Sequence, residues 1–387
     1  MPAAPSMIDA TRLKDEFLDL VCIASLSMHE GAIAKRLLRI LSRMGATVDV
    51  DDAGERLGGE TGNLFARFPG NKPDAPAFLL SAHMDTVGPA GAIHPVVEGD
   101  IVRTDRTSVL GGDDKSGIVA ILEAIRVLRE RAIPHGDIEL VLTISEESGL
   151  RGAKHFDKSR LRSRRGLVLD VDGVCELITR APAANHVNVT ITGLAAHAGI
   201  CPEQGLSAIQ MAAEAIAGMK LGRLDEETTA NLGVVQGGLA GNIVPDCVVI
   251  RGETRSLNVE KLEAQTAHMR ERFEKAVAGR SVVVGGRTHQ AQVKVEARRQ
   301  YEALNVRDDA SIVHLMQMAA AQSGRSFRTR STGGGSDANV FAAQGIEIAN
   351  LGCGMREIHT VNEWIDLKDV AVTAELVLGA LRLNAET

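Results

Sequence analysis

Residues 77–85 read Ala-Phe-Leu-Leu-Ser-Ala-His-Met-Asp. The run Ala77–Ala82 is apolar on both sides of a strand, and the residues that follow carry an imidazole and a carboxylate. The pattern recurs. Ile138–Ile144 is apolar and leads into Glu146-Glu147, and Gly166–Leu169 leads into Asp170. Between them Ile118, Leu122, Ile125 and Leu128 line one face of a helix expected over Asp114–Ala132. Strands apolar on both faces and alternating with helices predict an α/β fold, a mixed, largely parallel sheet with helices on both faces. Ligands of such sheets bind outside the carboxyl ends of the strands. His83, Glu146, Glu147, Asp170 and His359 are all expected at that edge.

Outward from this centre the alternation continues. Helical spacing links Leu13, Phe17, Leu20 and Val21, and again Ile33, Leu37, Leu38 and Leu41, with Gly45 placed to end the second helix. Strands fit Ala46–Val50 and Asn63–Phe68. Late in the chain a helix fits Asp309–Ser323, strands fit Ser326–Arg330 and Ile346–Leu351, and a last helix fits Leu367–Leu383. The stretch 186–297 reads differently. Val187–Thr192 alternates, a helix fits Ser207–Lys220, strands fit Thr229–Val235 and Cys247–Ser256, a helix fits Val259–Ala278, and Gln292–Glu296 alternates again. This β-α-β-β-α-β order predicts a small two-layer domain inserted into a larger one made of 1–185 and 298–387.

At 387 residues two domains are expected. A net charge of −7 supplies no basic footprint for nucleic acid, and one Trp and one Tyr leave little for base stacking. No apolar run approaches the roughly 20 residues needed to span a bilayer. Five scattered cysteines without a C-x-x-C, and no basic-then-apolar leader after Met1, predict free thiols and a cytoplasmic protein.

Charge at a buried strand end is costly unless it is paired or bound to metal. Several carboxylates together also repel one another, a penalty that a cation removes. Two imidazoles and three carboxylates, with one Glu to spare, suit zinc, cobalt or manganese. Singly the segments are ambiguous. His83 and Asp85 read as a ligand and its orienting partner, or as a surface pair. In Gly111–Gly117, Asp114 or Ser116 could cap a helix, while Asp113 could bridge two metals. Adjacent Glu146 and Glu147 point to opposite sides of a strand, so one can ligate while the other acts as a base. Asp170, directly at its strand end, is a better ligand candidate than Asp172. Gly334–Ala338 nearly spells G-x-S-x-G, but it ends in Ala and lies too close to His359 for the usual serine-hydrolase order.

Taken together, H-x-D, G-x-D-D-K-x-G, E-E, D and a late H resemble the M20 co-catalytic zinc peptidases, in particular the peptidase T-like branch. Leu194–Gly205, Gly252–Ser256 and Gly334–Asn339 fit the same family. The resemblance implies a zinc-peptidase-type domain with an inserted α+β, ferredoxin-like lid or dimerisation domain. It implies two divalent ions, most simply zinc. His83 and Asp170 would hold one, Glu147 and His359 the other, and Asp113 would bridge both across a cis Asp113–Asp114 bond. Glu146 matches the family's general base, which takes a proton from the attacking water and passes it to the leaving amine. His197 matches a residue that stabilises the oxyanion. Asn242, Arg255, Gly334 and Ser336 match substrate-contacting positions. The implied reaction is amide hydrolysis of short peptides by a tripeptidase or aminopeptidase, possible as a homodimer through the inserted domain. The alternatives are a deacylase or carboxypeptidase acting on N-acyl-amino acids or dipeptides and, with less support because every expected position is filled, a catalytically silent peptide binder.

Overall fold

The computed structural model describes residues 6–387, and the chain parts into two compact units. The first contains the chain up to Arg180, Leu304–Thr332 and Ser336–Thr387. Its main sheet has nine strands. The four at its centre, in the order Ile138–Thr143, Phe78–His83, Arg165–Val168 and Glu347–Leu351, are parallel. Antiparallel partners flank them: Leu64–Phe68 beside Ile138–Thr143, and Glu176–Ala181 beside Glu347–Leu351. The parallel centre sends its carboxyl ends to one edge, the arrangement expected from the apolar runs.

Both faces are covered. Leu64, Ala66 and Phe68 join one core with the helices Ala10–Val21, Gly31–Arg43, Gly112–Glu130, Ser311–Gln322 and Leu367–Asn384. Phe65, which alternation turns to the other face, meets Phe156 edge-on at 5.4 Å, and Phe156 meets Phe341 at 6.2 Å. Those rings belong to the short helices Arg151–His155 and Asp337–Ala343 or their ends.

The second unit is Ala181–Ala303 with Gly333–Gly335. Its sheet runs Gly222–Arg223, Thr228–Gly237, Cys247–Ser256, Ala183–Thr192, Gln292–Tyr301, all antiparallel. Met211, Ala212 and Ala215 of one helix and Met269 and Phe273 of another pack on Val187, Val189, Ile191, Val248 and Ile250. The β-α-β-β-α-β order is that read from sequence. Boundaries at 185/186 and 297/298 cut through two of its strands, because each strand begins or ends in residues that do not alternate: Ala183-Ala184-Asn185 and Arg298-Arg299.

Several elements escaped the sequence, Glu176–Ala181 and Asp337–Ala343 among them. Glu176–Ala181 opens on a charged residue, which is buried because Arg328 and Arg330 both pair with it. Asp337–Ala343 is a helix that the sequence reading did not assign, started by a capping box in which Ser336 and Asn339 satisfy each other's backbone. Among the described residues no helix is long and apolar enough to cross a membrane.

Candidate metal centre

His83 is the last residue of the Phe78–His83 strand and is 2% exposed. Its Nδ1 lies 2.9 Å from the backbone carbonyl of Asp85. A carbonyl only accepts, so Nδ1 carries a proton and Nε2 is the ring atom that faces the site. Nε2 lies 2.9 Å from Asp113 Oδ1 and 3.6 Å from Asp170 Oδ1. The orienting group is therefore the main chain of Asp85. The Asp85 carboxylate, expected on the imidazole, stands 3.4 Å from it. It accepts instead from Ser27 Oγ at 2.6 Å and from the amides of Glu146 and Glu147 at 2.9 and 3.2 Å.

Asp113 lies where the Gly112–Glu130 helix begins, inside a kink, and its bond to Asp114 is cis, as the resemblance implies. Glu363 accepts from the Gly111 and Asp113 amides at 2.8 and 2.9 Å. Asp113 then offers Oδ1 to His83 and Oδ2 to His359 Nε2, 3.2 Å away. Asp114 holds the His83 amide at 3.1 Å and receives the Gly117 amide at 3.2 Å. Asn350 clasps Asp170 from both sides, accepting from its amide at 2.9 Å and donating to its carbonyl at 2.8 Å.

His359 was expected at the edge of the main sheet. It sits instead in a loop between the short strands Met355–Arg356 and Trp364–Asp366 of a separate four-stranded sheet, with a φ of +63°. Its Nε2 is 3.0 Å from Glu147 Oε1. Two groups of donor atoms result, His83–Asp113–Asp170 and Asp113–Glu147–His359, each with its ligand atoms within 4.8 Å of one another. They share Asp113, and the nitrogen and oxygen donors are those a divalent transition metal takes.

The electrostatics fit a cation. Burial pushes the Asp170 carboxyl up to about 7, with the charges of Asp113 and Glu147 adding to it. Burial likewise raises Glu146 well above the carboxylate range, and Asp170 adds to that. Asp113 and Glu147 hold the His359 imidazole up to about 10 by hydrogen bonds. Burial alone would lower His83, but its bonds to Asp113 and Asp170 outweigh it and raise it. Negative charge thus exceeds what the two imidazoles neutralise. Glu146, 8% exposed, has no hydrogen-bond partner for its carboxylate among the described residues; it precedes Glu147 of one group and feels the charges of Asp170 and His83 of the other.

The remaining candidates divide. Within the second unit His197 and Asn242 come together, with the Ala198 amide on the Asn242 carbonyl at 2.9 Å and His197 bridged to Ile243. Both side chains are exposed. Arg255 does not present a free fork: its Nε and Nη2 bind Glu253 at 2.9 and 3.0 Å, so a substrate carboxylate would have to displace that partner. The Ser336 hydroxyl is occupied by the Ala338 amide and Asn350 Nδ2, while Gly334 lies in the glycine run that returns to the second unit. Sequence reasoning missed Glu363, Asn350 and Asp114 as holders of the ligand backbone. Asn350 was the findable one, a lone amide inside an apolar strand.

Known proteins resemble this chain over nearly its whole length. An uncharacterized protein of Bacillus subtilis, YqjE, is 44% identical over 98% of this chain and 100% of its own length. The structure of the aminopeptidase PepT from Bacillus cereus superposes with a TM-score of 0.87 at 43% identity, covering 98% of this chain and 100% of that one. A tripeptidase from Staphylococcus aureus gives 0.91 at 36% identity over the same shares. Residues 79–383, which hold every residue of both donor groups, match the model of one family. The chain belongs to peptidase family M20/M25/M40.

Proposed function

We propose that this metallopeptidase removes the amino-terminal residue of short peptides, tripeptides in particular, with two zinc ions held by His83 and Asp170 and by Glu147 and His359, and with Asp113 between them. The observation that carries the reading is the pair of donor groups sharing Asp113, with the buried Glu146, its carboxylate unpartnered among the described residues, beside them. The substrate class is supported by the names of the Bacillus cereus and Staphylococcus aureus relatives, both above 30% identity. A pair of divalent ions supplies Lewis acidity toward the scissile carbonyl and acidifies water.

The chain's own groups do the rest. Glu146 takes a proton from the attacking water and returns it to the leaving amine. Its raised carboxyl range suits a group that must carry a proton in one half of the cycle and release it in the other. His197 stabilises the developing oxyanion, and Asn242, its neighbour in the second unit, contacts substrate. A homodimer through the second unit is supported by the exposed side chains of Ile200, Val235 and Leu239. A cytoplasmic location is supported by five unpaired cysteines.

Side-by-side assays of tripeptides, dipeptides and N-acetyl-amino acids with zinc, cobalt or manganese test the substrate. Tripeptides should turn over fastest, and preference for N-acetyl-amino acids would replace the reading by a deacylase. Glu146→Gln should lower kcat by about 10²–10⁴ with both metals still bound.

A further inference from the structure

The four amides that follow the Ile138–Thr143 strand are each held by a buried side chain. Ile144 N–H donates to Asn63 Oδ1 at 3.0 Å and Ser145 N–H to Glu30 Oε1 at 3.0 Å. The next two are those of Glu146 and Glu147, both on Asp85. Asn63, Glu30 and Asp85 are all 0% exposed. Burying two carboxyl groups beneath one turn is costly unless their bonds hold something that needs holding.

Ser145 is that residue. Its φ is +50°, left-handed backbone that a non-glycine residue rarely adopts without support. Through this turn the chain leaves the sheet, so the Ser145 dihedrals set the direction in which Glu146 enters the site. The ordinary role for an acid at position 30 would be to cap the helix Gly31–Arg43, but its side chain makes no cap bond. Its Oε1 instead accepts from the Met28 amide at 2.9 Å and from Ser145, while Oε2 has no partner among the described residues. Ser27, from the same loop, holds Asp85 at 2.6 Å. One N-terminal loop therefore braces both carboxylates that grip the turn.

We propose that Glu30 is a positioning residue for Glu146: its Oε1 holds the Ser145 amide and so fixes the approach of the proton carrier to the substrate. This rests on the reading of Glu146 as that carrier. Only one oxygen of Glu30 is used, so the acceptor's reach matters and its charge does not. Two variants separate these. Glu30→Gln keeps the reach and removes the charge; Glu30→Asp keeps the charge and withdraws the acceptor by one methylene.

With the zinc-loaded protein and a tripeptide, Glu30→Gln should retain most of kcat. Glu30→Asp should lose about 10- to 100-fold in kcat, with KM and two metals per chain unchanged, the size expected for a misplaced catalytic group. Amide exchange of the peptide 143–150 should be as slow in Glu30→Gln as in the parent and faster in Glu30→Asp. Full activity in Glu30→Asp, or loss in Glu30→Gln with retention in Glu30→Asp, overturns the proposal. So does a fall in Glu30→Asp that tracks lost metal. If Glu30→Asp does not fold, Glu30→Gln decides alone, since a large kcat loss there with both metals bound is incompatible with positioning. Glu146→Gln is the control: if it remains fully active, the reading of Glu146 fails, whatever Glu30 does.

Discussion

His83 and His359 present the same atom to the same carboxylate, yet their surroundings have little in common. The His83 side chain is 2% exposed, ends a central strand, and has its amide on Asp114 and its Nδ1 on a carbonyl. The His359 side chain is 49% exposed and hangs on a loop whose residues Glu357 and His359 both have positive φ. On the buried side Asn350 holds the backbone of Asp170, and Glu363 that of the shared Asp113. On the loop side Thr360 ties the turn, donating to the Glu357 carbonyl at 2.7 Å and accepting from the Asn362 amide at 3.1 Å, and Glu363 anchors the far end of the same loop on the Gly111 and Asp113 amides. Hydrogen-bonded backbone fixes ligand geometry before a cation arrives, whereas a loop must be ordered by it. The expectation is that the fold builds one half of the centre and that binding completes the other.

The largest expected effect tests that division directly. His83→Ala should abolish hydrolysis and destabilise the chelated protein by about 3–5 kcal/mol, because it strands buried carboxylates. His359→Ala should also abolish hydrolysis but change stability by less than about 1 kcal/mol, as half-exposed pairs do. Denaturant unfolding of both variants measures this, and equal losses would erase the distinction between the halves. Next in size, Asn350→Ala should weaken metal at the His83–Asp170 side by about 10- to 100-fold and leave the other side unchanged. Titration with cobalt, followed by absorbance, would show whether one site or both respond.

Proton release follows. In chelated protein His359, held up to about 10, and His83, raised well above its usual range, are both protonated at neutral pH. A bound cation needs a lone pair on each, so loading expels protons and affinity rises with pH, about tenfold per unit for each proton displaced. For His359 the rise ends as pH passes its raised value. Calorimetry in buffers of different ionisation enthalpy counts the protons, and His359→Ala should release one fewer. Heats that do not depend on the buffer would contradict the raised imidazoles. The smallest effect belongs to the loop. Thr360→Val removes about 1 kcal/mol of hydrogen bonding and should weaken metal at the His359 side by about fivefold.

Much of this was legible in the chain because sheets announce themselves through period and length. Apolar runs such as Ile138–Ile144 marked the central strands, and the polar residue after each run marked the site edge. Glu30, Asn63 and Glu363 were illegible for the opposite reason. Glu30 and Glu363 lie in polar local contexts, Met-His-Glu and Asn-Glu-Trp, typical of solvated loops, and Asn63 read only as the start of a strand. Their burial follows from which loop the fold sets beside which strand end, and the bonds by which they hold the Ile144, Ser145, Gly111 and Asp113 amides span 81 to 252 residues of chain. His359 was found by its type and misplaced in its support, since the two- and three-residue strands beside it are too short to carry a pattern. Arg255 matched a motif, yet its fork was already filled by the neighbour two residues away on the same face of the strand.

Side-chain chemistry and strand periodicity, both local properties, pointed to the two-unit α/β plan and to a metal-seeking set of side chains, and the family resemblance singled out the acid beside it. Tertiary structure alone decided how firmly each donor is held. That depends on hydrogen bonds between segments distant in sequence, and on whether a sheet or a loop carries the ligand. Those bonds form only when the chain is closed, because the site amides that Glu30, Asn350 and Glu363 hold lie 115 to 250 residues away in sequence.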